Sequence, residues 1–278
     1  MNLNFSGKFL DLSQTRVMGI LNVTPDSFSD GGRFNRFDDA IRQAHQMVAD
    51  GAAIIDIGGE STRPGAAAVL VEDEINRVVP VIAALAQEID VPISIDTSKP
   101  EVMTAAVNAG AGMINDVNAL QAVGTLELAA SLDVPVCLMH MQGEPRTMQQ
   151  DPTYEDVVEE VYRFLEQRID ACVVAGVARE NIVIDPGFGF GKTLGHNLQL
   201  LKRLSRFADL GVPILVGISR KSMIGQITGC EFDERLAGSL AAATLATWLG
   251  ASIIRVHDVK ETVAAVAIAA AVHGYNND

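Results

Sequence analysis

The polar residues of this chain that could do chemistry fall in a pattern, because each follows closely on a short apolar run. Asn22 ends one run, Asp56 sits inside a second, and Asp96, Asn115, His140, Asp185, Ser219-Arg-Lys and Arg255-Val-His257 close the others. Asp96, Asn115 and Asp185 supply two carboxylates and an amide. That set can bracket a flat heterocycle with a mixed edge, since a carboxylate accepts two adjacent N–H groups and an amide both donates and accepts. Arg63, Lys221, Arg255 and His257 form a cationic set suited to an anionic substrate or leaving group. Arg255 can also lie flat on an aromatic ring. Any one of these residues would serve equally well as a cap or turn former. A whole ring of them points to an enzyme with a planar, nitrogen-rich substrate and at least one phosphate or carboxylate.

Several tempting patterns fail on spacing or are incomplete. In Pro186-Gly-Phe-Gly-Phe-Gly-Lys-Thr, Pro186 stands where a phosphate-binding P-loop needs glycine, and Gly191 comes one residue early for the dinucleotide fingerprint. There is no His-Glu-x-x-His; His45 and His273 lie in helical patterns, His196 opens one, and no cluster has zinc-site spacing. Ser219 follows an apolar run without the Gly-x-Ser-x-Gly elbow of a hydrolase nucleophile.

The apolar runs that carry the ring are Arg16–Leu21, Ala53–Ile57, Pro92–Ile95, Gly112–Ile114, Val134–Met139, Ile182–Ile184, Pro213–Val216 and Ser252–Val256. Their near-continuous hydrophobicity predicts parallel strands buried on both faces. Helical patterns alternate with them over Asp38–Asp50, Glu72–Ile89, Glu101–Ala109, Thr125–Leu132, Tyr154–Val177, His196–Phe207, Asp233–Leu249 and Asp258–His273. Gly51, Gly110, Gly176, Gly211 and Gly250 mark helix stops. Eight β–α units in 278 residues predict a single (β/α)8 TIM barrel domain spanning residues 1–278. Leu3–Phe5 and Phe9–Asp11 around Gly7 predict a short N-terminal β-hairpin plugging the barrel bottom. In such a barrel, the ends of the strands where the polar residues fall form the active-site mouth. The glycine-rich stretches after the first two strands, Thr24–Gly32 and Gly58–Gly65, are then expected to act as lids.

The balance of 35 acidic to 21 basic residues, a net charge of −14, argues against a phosphate-tracking surface for nucleic acid and against a polybasic membrane-binding face. Leu236–Ile254 carries no charge, but its Gly, Ser and Thr residues read as a buried helix followed by a strand, not as a membrane span. Cys137, Cys172 and Cys230 are scattered and odd in number, and the N-terminus has no signal-peptide pattern. The expectation is a cytoplasmic protein with reduced thiols.

The residues also carry a specific resemblance. Met18-Gly-Ile-Leu-Asn-Val-Thr-Pro-Asp-Ser-Phe-Ser-Asp-Gly-Gly and Asp56-Ile-Gly-Gly-Glu-Ser-Thr-Arg-Pro-Gly resemble the paired signatures of the dihydropteroate synthase family. Ile95-Asp-Thr, Ile114-Asn-Asp, Asp185-Pro-Gly-Phe-Gly-Phe-Gly-Lys, Gly217-Ile-Ser-Arg-Lys-Ser and Arg255-Val-His-Asp are similar to the rest of its pattern, in the same order.

The resemblance implies a transferase that condenses (7,8-dihydropterin-6-yl)methyl diphosphate with 4-aminobenzoate in folate biosynthesis, releasing diphosphate and 7,8-dihydropteroate. Carried over by position, it implies that Asp96, Asn115, Asp185 and Lys221 hold the pterin, with Arg255 stacked on its ring. Asn22, Arg63, Arg255 and His257 would contact the diphosphate, and Asn22 would touch Mg²⁺. Phe28, Thr62, Pro64, Phe190, Lys221 and Ser222 would form the 4-aminobenzoate pocket. Arg63, Lys221, Arg255 and His257 are the candidate catalytic residues. Sulfonamides are expected to compete with 4-aminobenzoate, and a homodimer is implied. A corrinoid-dependent methyltransferase barrel shares the Asp/Asn/Asp pocket, but its substrate has no diphosphate to occupy the cationic set. A catalytically idle pterin- or folate-binding protein is the other alternative, and it would have no use for the leaving-group residues.

Overall fold

Strands β1 (Asn2–Phe5) and β2 (Lys8–Asp11) pair antiparallel as the expected hairpin. The apolar runs then become β3 (Arg16–Asn22), β4 (Ile54–Gly58), β5 (Ile93–Asp96), β6 (Met113–Asp116), β7 (Val136–Met139), β8 (Ile182–Asp185), β9 (Leu215–Val216) and β10 (Ile253–Val256). The computed structural model describes residues 2–24, 33–61, 68–144 and 147–274. These eight strands form one parallel sheet in the order β8-β7-β6-β5-β4-β3-β10-β9. A parallel bridge between Ile184 and Ile214 joins the two ends, with the Ile184 N–H donating to Pro213 O at 3.0 Å, so the sheet curls into a barrel.

The surrounding helices are α1 (Arg33–Ala49), α2 (Val71–Glu88), α3 (Pro100–Asn108), α4 (Thr125–Leu132), α5 (Val157–Ala175), α6 (Leu194–Lys202), α7 (Ser222–Thr228), α8 (Leu236–Trp248) and α9 (Val259–His273). The glycines expected to stop helices all have positive φ, and Gly176 (φ 103°) caps α5 by donating to Cys172 O and Val173 O. Several boundaries differ from the periodicity, and α1 begins at Arg33 instead of Asp38. Helix α5 starts late because the Asp156 carboxylate accepts the Val158 and Glu159 N–H groups as an N-cap. The pattern over His196–Phe207 splits at Arg203 (φ −110°, ψ 25°), whose guanidinium bonds Asp156 and Glu159. Beyond it a 3₁₀ helix, Leu204–Leu210, buries Leu204, Phe207 and Leu210, and their three-residue spacing is the repeat of that helix. The stretch 233–249 likewise begins as a 3₁₀ turn, Phe232–Glu234, before α8, and α7 adds a short helix that periodicity did not count.

Two apolar layers result. Between strands and helices lie residues such as Ile55, Ile57, Ile95, Ile114, Leu138 and Ile184. Inside the barrel, Met18, Ile54, Met113, Cys137, Val183, Leu215 and Ile253 pack together above Leu3 and Phe5 of the hairpin. A methyl group on Gly112 would lie 2.8 Å from Phe5 Cβ, so the plug rests directly on the start of β6. No helix among the described residues is long and apolar enough to cross a membrane, and the uncharged stretch divides into α8 and β10 as expected.

Candidate active site

Side chains two apart on a strand share a face. Counting two on from the interior apolar layer therefore reaches Asp56 above Ile54, Asn115 above Met113, Asp185 above Val183, Gly217 above Leu215 and Arg255 above Ile253. Asp96 stands in the same way above Ser94 on β5. The barrel closes its apolar interior at one level and turns polar at the next, at the C-terminal ends of its strands.

Arg255 is the hub of this layer. Its Nε donates to Asp56 Oδ2 and its Nη2 to Asp96 Oδ2, each at 2.6 Å. Asn115 Nδ2 donates to the same Asp56 oxygen at 3.2 Å, while Asp56 Oδ1 has no hydrogen-bond partner among the described residues. Both Arg255 bonds use one edge of the guanidinium, so its plane is fixed. Burial works against the charge on Arg255, yet Asp56 and Asp96 raise its pKa above the usual value. Burial lifts the Asp96 carboxyl to about 7, with Arg255 opposing. A methyl group on Gly58 would lie 3.8 Å from both Asn22 Oδ1 and Asp96 Oδ2, which places Asn22 beside this cluster.

Asp185 and Lys221 form the second group. Burial raises the Asp185 carboxyl; the Lys221 ammonium and the Gly187 N–H, which donates to Asp185 Oδ1 at 2.7 Å, pull the other way. Withdrawal from water brings the Lys221 ammonium down to about 8, with Asp185 opposing. Lys221 Nζ donates to the Phe188 carbonyl and sits 4.5 Å from the centre of the Phe190 ring. Gly217 leaves the gap between the two groups open, since a methyl there would meet Arg255 Cβ at 3.9 Å and Lys221 Nζ at 4.0 Å. Ser222 opens α7 beside a cavity of about 250 Å³ that Gln149, Thr193 and Gln226 also line.

His257 Nδ1 lies 3.1 Å from Ser219 Oγ, which also accepts the His257 N–H at 3.2 Å, so two strand ends hold one imidazole. Between Ser219 and Lys221, Arg220 adopts a left-handed backbone (φ 54°) and its side chain pairs twice with Asp258, at 2.9 and 2.6 Å. The sequence ring is therefore largely assembled: Asn22, Asp96, Asn115, Asp185, Phe190, Lys221, Ser222, Arg255 and His257 all lie at the strand ends or the loops leaving them. Phe28, Thr62, Arg63 and Pro64 lie outside the described residues, as do positions 25–32 and 62–65 of the two stretches read as lids. Sequence reasoning placed Asp56 in the ring but gave it no role. The available signal was its position two residues after Ile54 on a strand whose polar side chain could only face inward.

A family model described as pterin binding enzyme matches residues 18–257. The dihydropteroate synthase of Escherichia coli (strain K12) is 57% identical over 268 residues, covering 96% of this chain and 95% of that protein. The structure of Yersinia pestis dihydropteroate synthase in a sulfonamide drug complex has a TM-score of 0.95 at 54% identity, covering 99% of this chain and 100% of that one. Xanthomonas albilineans dihydropteroate synthase in complex with 7,8-dihydropteroate has a TM-score of 0.92 at 49% identity, covering 99% and 100%.

Proposed function

The chain belongs to the dihydropteroate synthase family of pterin-binding enzymes, and from that premise we propose how its barrel mouth performs the family's reaction. It condenses (7,8-dihydropterin-6-yl)methyl diphosphate with 4-aminobenzoate, giving 7,8-dihydropteroate and diphosphate for folate biosynthesis. The observation that carries the assignment of roles is the polar layer itself: carboxylates and an amide face an arginine of fixed plane, one strand level above a packed apolar interior.

Asp96, Asn115 and Asp185 bind the edge of the pterin, Lys221 supports it, and Arg255 lies against its ring. Arg63, Arg255 and His257 take the diphosphate. Phe28, Thr62, Pro64, Phe190, Lys221 and Ser222 form the 4-aminobenzoate pocket, where the Lys221 ammonium and the start of α7 attract the carboxylate. In the reaction the amine lone pair forms the new C–N bond as the C–O bond to diphosphate breaks, and the amine loses a proton. An arylamine is largely neutral at pH 7 and already nucleophilic. The catalytic work of Arg63, Lys221, Arg255 and His257 is then to stabilise the departing anion and hold the amine in line, with no strong general base required.

We assign the holding of Mg²⁺ to Asn22, whose Oδ1 lies on the Asp96 side of Gly58. Among the described residues no group of three or more His, Cys, Asp or Glu gathers as a metal cage. One amide oxygen completed by diphosphate and water oxygens is a ligand set that Mg²⁺ accepts. When bound, the ion supplies positive charge to the leaving diphosphate. The chain is further read as a homodimer, on the support of Leu245 and Trp248 of α8 and Ile268 and Val272 of α9, large apolar side chains left exposed on two helices that pack together. Three unpaired cysteines support the cytoplasm as its compartment.

The test is diphosphate release from purified protein given the dihydropterin diphosphate, 4-aminobenzoate and Mg²⁺. Release that stops on chelation, returns with Mg²⁺ and is inhibited by sulfonamides in competition with 4-aminobenzoate is the expected result; no release refutes the assignment.

A further inference from the structure

The run Pro186–Thr193 reads like an imperfect P-loop, yet its lysine does not reach outward as a phosphate ligand would. Lys192 is 3% exposed and turns back into its own loop. Its Nζ donates to the carbonyls of His140 at 3.2 Å, Gly187 at 2.9 Å and Phe190 at 3.0 Å, and meets His140 Nδ1 at 2.9 Å. Burial, reinforced by Lys192, drives the His140 pKa down to about 2, so its imidazole is neutral. The amine is thus enclosed by three backbone carbonyls and a ring nitrogen, which join the end of β7 to the loop after β8.

The rest of that loop is held to the same degree. The Gly189 N–H donates to Asn197 Oδ1 at 2.7 Å, Gln149 donates to Gly189 O, and Tyr154 donates to Gly191 O at 2.8 Å. The loop also lies hard against the segment after β7. A methyl group on Gly187 would come within 1.8 Å of His140 O, and one on Gly191 within 2.3 Å of Gln142 O. The outer side of the loop carries the two features that Lys221 uses, the Phe188 carbonyl that accepts its ammonium and the Phe190 ring beneath it.

We propose that Lys192 is a positioning residue for the arylamine: by fixing the Gly187 and Phe190 carbonyls it sets the wall against which Lys221 presents its charge to 4-aminobenzoate. This rests on the placing of 4-aminobenzoate beside Phe190 and Lys221. Lys192 Nζ is taken up by its own loop and by His140, so its effect falls chiefly on binding of the second substrate, through the wall that Phe190 and Lys221 share.

The experiment is steady-state diphosphate release by the full chain and by Lys192→Met, with thermal unfolding to verify folding and calorimetry to measure pterin affinity. The expected result is a rise of about tenfold in the KM for 4-aminobenzoate, the scale of one hydrogen bond to a charged group. Turnover at saturation and pterin affinity should each change by less than the KM does, because, among the described residues, the side chains of Asp96, Asn115 and Arg255 make no hydrogen bond to this loop. A folded Lys192→Met protein with unchanged KM, or with turnover lost at unchanged KM, overturns the proposal. If Lys192→Met does not fold, Gln149→Ala decides: Gln149 is exposed and, among the described residues, tethers Gly189 O, and its loss should raise the same KM by about threefold. An unchanged KM in that variant overturns the proposal too. A wild-type protein that releases no diphosphate instead removes the functional assignment, and with it this one.

Discussion

Asp56→Asn keeps the shape of the side chain and removes only the charge that anchors Arg255. Asp56 is fully buried, whereas the Arg255 side chain is 20% exposed and keeps a second carboxylate in Asp96. Breaking a buried ion pair outright costs about 3–5 kcal/mol. Here an amide oxygen can still accept from the charged Arg255 Nε, which leaves a loss of about 1–2 kcal/mol for an ion pair reduced to a bond with one charged partner. The second term comes from the other end of the amide. Asn115 and Arg255 both donate to Oδ2, so the new NH₂ must occupy the position of Oδ1, which has no partner among the described residues. An unsatisfied buried donor costs about 1–3 kcal/mol. The sum is about 2–5 kcal/mol, which for a chain of this size lowers Tm by about 3–9 °C. Thermal unfolding followed by circular dichroism measures the stability, and diphosphate release measures the accompanying fall in kcat/KM as the plane of Arg255 loosens. Asp96→Asn is the internal control and should destabilise less, because Asp96 keeps 14% exposure and its carboxyl already sits near 7. A Tm within about 2 °C of wild type together with unchanged kcat/KM would show that Asp56 does not hold Arg255.

Three further outcomes follow from the same geometry. The Lys221 amine loses its proton near pH 8 in the free enzyme, so the KM for 4-aminobenzoate should rise about tenfold per pH unit above that point, and a flat KM from pH 7 to 9.5 would refute the role. Because the folded value lies below the 10.5 of an ordinary lysine, the same group makes the fold more stable as pH rises from about 8 to 10.5, the opposite direction to its effect on binding. Asp185→Asn should weaken dihydropterin binding by about 10- to 100-fold in calorimetry, the scale of a hydrogen bond to a charged acceptor; equal affinity would move the pterin edge elsewhere. Gly187→Ala should lower stability by about 3 kcal/mol or more, since its methyl meets a backbone oxygen at 1.8 Å with φ at +72°, and a Tm equal to wild type would contradict the packing of the loop on His140.

Much of the fold is legible because strands covered on both faces must be apolar throughout, and Ile54–Gly58 or Ile182–Asp185 can hardly be anything else in a chain that alternates them with helices. The polar ends of those strands were legible for the same reason. Asp96, Asn115, Asp185 and Arg255 interrupt runs that otherwise have no cause to admit a charge. Helix ends were harder. Leu204, Phe207 and Leu210 fit a helical face in sequence, and only the ion pairs of Arg203 with Asp156 and Glu159 accompany the change to a tighter 3₁₀ turn there.

By itself the sequence determined the barrel, the mouth at which its chemistry gathers and the kind of ligand that mouth suits, since burial periodicity and residue type are local properties. The tertiary structure decided the partnerships. Asp56 and Arg255 are 199 residues apart and meet at 2.6 Å; Lys192 meets the end of β7 from 52 residues away and so holds the loop on which Phe190 and Lys221 converge. No periodicity contains such pairings, because they arise only when a closed sheet brings the inward faces of distant strands within hydrogen-bonding distance of one another.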